Sequence, residues 1–431
     1  MTNKKFKLAA MSLATAVAVS AVGPSASAVT YYLGNGDITV DQDETRGAFS
    51  YQGEDGSEEH RTYVNEDEAD KGTIYVKDGN APEVDSPSTD NSDNGTEAPT
   101  PTDNATQSTD ASGNNTENSS TSETTTGNTI TVMEDVKKPE KTDGTEGNDV
   151  KIVVEGVNVD TSTQTDPPAG VPADAKEDKT IIKVGEGADV DLTVRDSNLT
   201  TGGHGIDIGV NLEGKDENKG ANVDLTLDNT QINLTQNGKA GVNVQDNSDV
   251  DLTLKDKNTI DGSEAIKKEE DGILTKNVNV EGIRVGDGGA SDGSGTSEGA
   301  NTKLTISGGV EKTETAETDT EETESPAGGS LTISDTTGGL VMADGSDVEI
   351  TDGADVTIEE TKTSGSTQAG RGVTQHGDLT ISGGSSLKID GVEDNAKQAS
   401  HTGIGIASWD DITVEDGSTL EISDATTGIY G

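Results

Sequence analysis

Few side chains in this sequence have the type and spacing that catalysis requires. The region of repeats described below contains Arg195, Arg284 and Arg371, and no recognisable motif ties an aspartate pair to any of them. The four histidines, among them His204 and His376, show no His-x-x-x-His or other metal-binding spacing. With 82 acidic residues, two carboxylates at a hydrolase-like separation must occur by chance. We therefore expect no catalytic residue and no enzymatic activity.

Two aspartate-rich turns have the composition of a site for a hard cation. Asp344 and Asp347 flank one turn, and Asp352 and Asp355 flank the next. Each turn brings carboxylates and carbonyl groups close together, as Ca²⁺ requires. The twelve-residue calcium loop is absent, however, and aspartate is also common in turns for conformational reasons. The sequence leaves both interpretations open, calcium ligands or ordinary turns.

Trp409 and Tyr430 are the aromatic residues best placed to bind a sugar ring. Trp409 follows the apolar strand that ends at Ile406, and Tyr430 is the outward residue of the next equivalent strand. Because the two residues belong to adjacent repeats, the sequence predicts that they form one patch. The other interpretation is that Trp409 packs in a core or a cap.

The net charge of −52 limits the partners of the chain. Such a field repels nucleic acid and anionic lipid, so we expect neither as a ligand. It suits Ca²⁺, cationic surfaces or simple solubility outside a cell. The chain has no cysteine, so its stability must come from burial and backbone hydrogen bonds. Its 54 glycines and its 2% of aromatic residues predict many short strands joined by tight turns.

Residues 1–28 have the three parts of an export signal. Lysines near the start precede an apolar stretch at 8–22, and Ala26-Ser27-Ala28 matches the small-x-small pattern that signal peptidase accepts. No later stretch approaches the length of a membrane span. We therefore expect the mature protein to be exported, either extracellular or on the cell surface, and not inserted in a membrane.

Composition divides the mature chain into three parts. Residues 29–79 hold most of its aromatic side chains and predict a small N-terminal β cap. Residues 80–127 are rich in Thr, Ser, Asn and Asp, with Val84 as their only branched aliphatic residue, and predict a disordered linker. Residues 128–431 contain the repeats. Because the sequence stops at Gly431 directly after a strand-like segment, we expect the natural chain to continue.

Short strands with the pattern apolar-x-apolar recur in a fixed order of three types. The outer pair of each strand should face inward and the middle residue outward, because side chains alternate. The first type lies at 191–194, 224–227, 251–254, 303–306, 347–350, 378–381 and 411–414. The second type lies at 231–234, 330–333, 355–358, 386–389 and 419–422. The third type, which begins with glycine, lies at 205–208, 241–244, 282–285, 339–342, 403–406 and 428–430.

Three strands per repeat predict one coil of an all-β solenoid, a parallel right-handed β-helix with coils about 4.8 Å apart. A sandwich would need antiparallel hairpins, and a propeller would need four strands per repeat. Long insertions at 261–281, 359–371 and 390–402 fall between the second and third strands, so they should line one edge. They mark either a binding face or corners that tolerate insertion.

The runs Asp-Leu-Thr-Ile-Ser-Gly-Gly at 378–384 and His-Thr-Gly-Ile-Gly-Ile at 401–406 resemble pectin-lyase-like right-handed β-helix domains of bacterial surface proteins. Those domains include adhesive and carbohydrate-binding members from Gram-positive bacteria, and the resemblance covers roughly residues 129–431. It implies the fold but not one activity, since this fold carries lyases, hydrolases and adhesins alike.

From this resemblance we expect a non-catalytic adhesin or glycan-binding protein whose partner is a glycan or a component of a host or cell surface. A polysaccharide lyase acting on acidic glycans is one alternative, and a passive cell-wall spacer is another. The lyase would need acidic calcium ligands and an Arg or Lys base on one face. Arg284, which the strand pattern turns outward, is the arginine best suited to that role.

Overall fold

The computed structural model of the chain describes residues 29–33, 37–43, 48–52, 58–62, 73–78, 125–126, 128–134, 136, 150–162, 179–212, 219–236, 238–270, 279–286, 301–309, 328–362, 370–393 and 403–431. The expected signal peptide lies outside these residues. The expected disordered linker also lies outside them, except for Thr125 and Thr126, which form a strand. Within the described ranges, no helix is both long and apolar enough to cross a bilayer.

The strands are short, and an α-helix, α1 (Ser263–Glu270), is inserted in one of the connections. The strands of the first half are β1 (Val29–Tyr32), β2 (Ile38–Asp43), β3 (Ala48–Gln52), β4 (Glu58–Thr62), β5 (Thr73–Lys77), β6 (Thr125–Thr126), β7 (Ile130–Val132), β8 (Val150–Glu155), β9 (Asn158–Asp160), β10 (Ile182–Gly185), β11 (Asp189–Arg195), β12 (Asn198–Thr201), β13 (Ile206–Val210), β14 (Asn222–Asp228), β15 (Gln231–Leu234) and β16 (Lys239–Val244). The remaining strands are β17 (Asp249–Lys255), β18 (Lys257–Asp261), β19 (Val280–Val285), β20 (Thr302–Ser307), β21 (Ser330–Ser334), β22 (Gly338–Met342), β23 (Ser346–Thr351), β24 (Asp355–Glu359), β25 (Arg371–Gln375), β26 (Leu379–Ile381), β27 (Ser386–Asp390), β28 (Ile404–Ser408), β29 (Ile412–Val414), β30 (Thr419–Ser423) and β31 (Thr427–Tyr430).

These strands form three sheets that run along the solenoid. The first sheet has the order β1-β5-β8-β11-β14-β17-β20-β23-β26-β29, and the second has the order β6-β9-β12-β15-β18-β21-β24-β27-β30. The third sheet has the order β2-β7-β10-β13-β16-β19-β22-β25-β28-β31. From β5 onwards the chain visits the first, second and third sheets in turn, so each set of three strands is one coil. The predicted right-handed parallel β-helix with three strands per coil is confirmed.

The N-terminal segment shares the sheets of the solenoid. Strand β1 pairs in parallel with β5, and β2 pairs in parallel with β7, so both continue the stacking of the coils. Strands β3 and β4 then add to β2 in antiparallel fashion. Residues 29–79, which the sequence predicted as a cap, therefore supply the first strands of the solenoid as well as an antiparallel extension at its end.

The core consists of columns of aliphatic side chains that stack from coil to coil. Leu379 on β26 is fully buried and pairs in register with Val348 on one side and Ile412 on the other. The middle residue of the same strand, Thr380, is partly exposed. The predicted phase of the first-type strands, with outer residues inward, is therefore correct.

A glycine recurs in the third-sheet strands where an isoleucine of the second sheet packs against the backbone; in β28 it is Gly405, not the Gly403 that the sequence pattern predicted. A Cβ placed on Gly205 would stand 2.6 Å from Cγ2 of Ile232 and 2.6 Å from the carbonyl oxygen of Gly241 in the next coil. The same conflict recurs at Gly241 with Ile260. Glycine recurs at this position because the isoleucine of the second sheet already fills the space of a side chain.

The corners between sheets differ in length. In three coils the turn between the first and second sheets contains one residue in the left-handed region, Asp196, Asn229 or Asp256, each with φ near +50°. The long insertions predicted between second and third strands do occur at that one corner, after β18, β24 and β27. Long connections also occur at the other two corners, between β19 and β20 and between β20 and β21, so the expectation that insertions line one edge is wrong.

Candidate functional site

An exposed aromatic pair lies at the corner where the third sheet passes to the first. Trp409 follows β28 and is 52% exposed. Its indole stacks on the imidazole of His376, which follows β25 in the preceding coil, with ring centroids 4.1 Å apart and planes inclined by 6°. The neighbouring residues Gln375 and Ser408 are register partners, so the strands themselves hold the two rings together.

Charged side chains surround the inner ring of this pair. Burial lowers the pKa of His376 below its ordinary value, and Arg371 lowers it further, whereas Asp344 and Asp410 act to raise it. Burial is the largest of these effects. Asp344 and Asp410 are themselves exposed. The lowered pKa favours the neutral imidazole, and the carboxylates of Asp344 and Asp410 oppose that effect electrostatically.

Tyr430 lies one coil beyond this pair and is 58% exposed. It is the register partner of Ala407, which precedes Trp409 by two residues. The ring that stacks on Trp409 is that of His376. Trp409 and Tyr430 lie on adjacent coils, and the structure adds a histidine that sequence reasoning had set aside. We call Trp409, His376, Tyr430, Asp344 and Asp410 the aromatic corner.

The outward column of the third sheet that ends at Tyr430 contains polar residues that are buried. Asp207 and Asn243 are register partners on β13 and β16, with exposed fractions of 5% and 6%. Oδ1 of Asp207 accepts hydrogen bonds from Nδ2 of Asn243 at 2.7 Å and from Nε2 of Gln245 at 2.9 Å. Arg284 on β19 is the next member of the column.

Arg284 forms a buried ion pair. Its Nε donates to Oε2 of Glu281 on the same strand, and the two side chains are 14% and 0% exposed. The other carboxylate oxygen of Glu281, Oε1, is buried without a hydrogen-bond partner. The arginine that the sequence singled out as a possible lyase base is therefore outward, as predicted, but a carboxylate engages its guanidinium.

The two aspartate-rich turns lie at opposite ends of β23. Asp344 and Asp347 stand at its beginning, whereas Asp352 and Asp355 follow its end. A six-residue strand separates the two turns by roughly 20 Å. All four side chains are exposed, and Asp355 accepts a hydrogen bond from Oγ of Ser386 at 2.6 Å. Among the described residues, no group of three or more histidine or acidic side chains is arranged to hold a metal ion.

Sequence reasoning missed the buried polar members of the third sheet. The alternating pattern assigns Asp207 and Asn243 to the outer face and so predicts solvent exposure, yet both are buried. The sequence did contain one indication of this difference. The outward positions of the first-type strands are Thr and Asp in nearly every coil, whereas the outward position of the third-type strands holds a different residue in each coil. Such variation is typical of a sheet face whose side chains contact other protein groups, rather than of a face that is exposed to solvent along its whole length.

Comparison with known proteins gives no match to a family model, to a curated protein or to a solved structure.

Proposed function

We propose that this protein is a non-catalytic, exported β-helix protein of the pectin-lyase-like kind that binds neutral glycans through the aromatic corner. The observation that carries the proposal is the stack of Trp409 on His376, with half of the indole surface open to solvent. A large aromatic ring exposed on a rigid scaffold provides apolar area at little cost in conformational entropy. The C–H face of a pyranose ring is complementary to such a surface.

The aromatic corner also offers hydrogen-bonding groups to the hydroxyls of a bound sugar. Asp344 and Asp410 carry exposed carboxylates that accept hydrogen bonds from sugar hydroxyls, and the phenol of Tyr430 both donates and accepts. A net charge of −52 disfavours polyanionic glycans, so the partner is a neutral glycan of a host or cell surface. The parallel coils hold the corner on a stiff body, as adhesion requires.

The proposal is tested by glycan-array and calorimetric binding of the mature chain with the Trp409→Ala and His376→Ala variants. Trp409→Ala should remove the glycan binding that depends on the aromatic corner, because it removes the stacking surface. His376→Ala should weaken binding less, because the histidine orients the indole from beneath. Val414→Ala removes another exposed apolar side chain of the last coil, 42% exposed, and serves as the matched control. Equal binding by the parent and Trp409→Ala would disprove the proposal.

The lyase is the alternative from a different functional class. The buried row of Asp207, Asn243 and Arg284 on the third sheet favours it, because catalytic groups are found in such desolvated settings. Against it stands the pairing of Arg284 with Glu281, which occupies the guanidinium. A protein that neither binds glycans nor cleaves them would instead be a spacer.

A further inference from the structure

A groove lined mainly by carboxamide and hydroxyl groups runs along the corner between the first and second sheets, far from the aromatic corner. Its volume is about 420 Å³. Its floor is a register column of the second sheet, formed by Asn158, Asn198, Gln231 and Thr259 on β9, β12, β15 and β18. We call it the amide groove. It crosses these coils parallel to the solenoid axis.

Hydrogen bonds between carboxamides fix the orientation of the groove floor. Nδ2 of Asn198 donates to Oδ1 of Asn158 at 3.1 Å, and Nδ2 of Asn233 donates to Oδ1 of Asn198 at 2.7 Å. Nε2 of Gln231 donates to Oδ1 of Asn233 at 2.9 Å. A carboxamide has two N–H donors and two acceptor lone pairs, so this ladder uses half of the capacity of Asn198. The other N–H donor and the other lone pair of Asn198 are already oriented, so a ligand could bind them at no further cost in side-chain entropy.

The groove is formally neutral in a strongly acidic protein. Its charged lining residues are Asp196 and Lys257, of opposite sign. Asn229 on the rim donates from Nδ2 to Oδ1 of Asp196 at 2.8 Å, which satisfies part of that carboxylate. Neither a polyanion nor a polycation would gain electrostatically from this surface. A ligand that both donates and accepts hydrogen bonds, without net charge, matches it best.

Sugar hydroxyls match the groove better than a peptide does. A peptide binds a sheet chiefly through an unpaired strand edge. Strands β12 and β15 pair on both sides with the neighbouring coils, so no backbone edge opens into the groove. The groups available are side-chain amides and hydroxyls, which suit the alternating hydroxyls of a glycan.

We propose that the amide groove binds a linear neutral glycan that lies parallel to the solenoid axis, with one sugar residue on each coil. The coils repeat at about 4.8 Å, which is close to the length of one hexose unit in an extended β-linked chain. Because successive units of such a chain alternate in the face that they present, every second sugar would meet the floor in an equivalent position. This site is separate from the aromatic corner, and neither depends on the other.

The test uses the full chain carrying Trp409→Ala, so that only the amide groove remains to be measured. Cellotetraose is the probe, and maltotetraose, whose α-linked chain is curved, is its comparison. We expect cellotetraose to bind detectably by calorimetry or ligand-observed NMR, and maltotetraose to bind at least about tenfold more weakly. Gln231→Ala and Asn229→Gly change exposed side chains and leave the core intact, and glycine suits the left-handed backbone at position 229. Each should weaken cellotetraose binding several-fold.

The matched control is Asn222→Ala, which removes an exposed carboxamide from β14, one strand away on the first sheet. It should leave cellotetraose binding unchanged. Asn198→Asp, nearly isosteric, should abolish binding while circular dichroism shows an intact fold. Absence of cellotetraose binding in the Trp409→Ala chain, or binding that none of the groove variants alters, would overturn this inference while leaving the aromatic corner untouched. Preferential binding of a neutral Ser/Thr peptide would overturn it in favour of a peptide ligand.

Discussion

Gly405 lies so close to Ile422 that a Cβ on the glycine would stand 2.5 Å from Cγ2 of the isoleucine. Gly405→Ala should therefore overpack the junction of the second and third sheets and cost about 1–3 kcal/mol in the free energy of unfolding. The equivalent glycine of the last coil, Gly428, would meet nothing within 4 Å. Gly428→Ala should cost less than about 0.5 kcal/mol. Urea denaturation of both variants tests the comparison, and equal costs would contradict it.

Leu379 provides a test of the strand phase. Leu379→Asp would place an unpaired carboxylate between Val348 and Ile412, and it should cost more than about 4 kcal/mol. Thr380→Asp puts the same charge on the outer side of β26 and should cost under about 1 kcal/mol, even with Glu349 beside it. The midpoints of denaturant unfolding measure both effects. A Leu379→Asp variant as stable as its parent would mean that the core lies on the other side of the strand.

The fold could be predicted from the sequence because its physical determinants repeat. Each strand of a coil needs two inward aliphatic residues. Parallel stacking brings residues at equivalent positions of neighbouring coils into contact, as with Leu379 and Ile412. The glycine of the third-type strands was visible as a pattern, but its cause was not. Only the structure shows that Ile232 of the second sheet occupies the space above Gly205.

The candidate sites were less predictable, because they depend on which residues of different coils come into register. Trp409 and Tyr430 were identified from their type and from their places in adjacent repeats. The stacking of His376 on Trp409 needed the exact alignment of Gln375 with Ser408, which variable corner lengths conceal. The carboxamide ladder escaped notice for the same reason, since Asn158 and Asn198 are separated by a long insertion in the sequence.

His376 should make the last coils sensitive to mild acid. Burial lowers its pKa in the folded protein below the ordinary value of about 6.5, so the unfolded chain binds a proton at a higher pH than the folded chain does. The stability that the neutral imidazole contributes is present above the ordinary pKa, and it is lost as pH falls through the lowered one. The advantage of the parent over His376→Gln in urea midpoint should therefore shrink between about pH 7.5 and about pH 5. A constant difference would show that His376 does not titrate in this way.

Removing one partner of the ion pair between Glu281 and Arg284 should lower the free energy of unfolding much more than breaking a surface pair does. Arg284→Ala leaves a fully buried carboxylate without its partner and should cost about 3–5 kcal/mol. The double variant Glu281→Ala/Arg284→Ala should be more stable than Arg284→Ala alone. Lys388→Ala breaks the half-exposed pair of Lys388 with Asp390 and should cost under about 1 kcal/mol. A double variant less stable than the single one would mean that Glu281 is satisfied without Arg284.

The purified mature protein should not cleave pectin, alginate or other uronic-acid polymers at any calcium concentration. A lyase base must be free to contact the sugar, and the buried carboxylate of Glu281 already engages the guanidinium of Arg284. The net charge of −52 also repels an anionic polymer unless cations bridge the two. The measurement is the ultraviolet absorbance of unsaturated uronate product across a calcium titration, with a known pectate lyase as positive control. Steady product formation that disappears in a folded Arg284→Ala variant would replace glycan binding by lyase activity as the function of this protein.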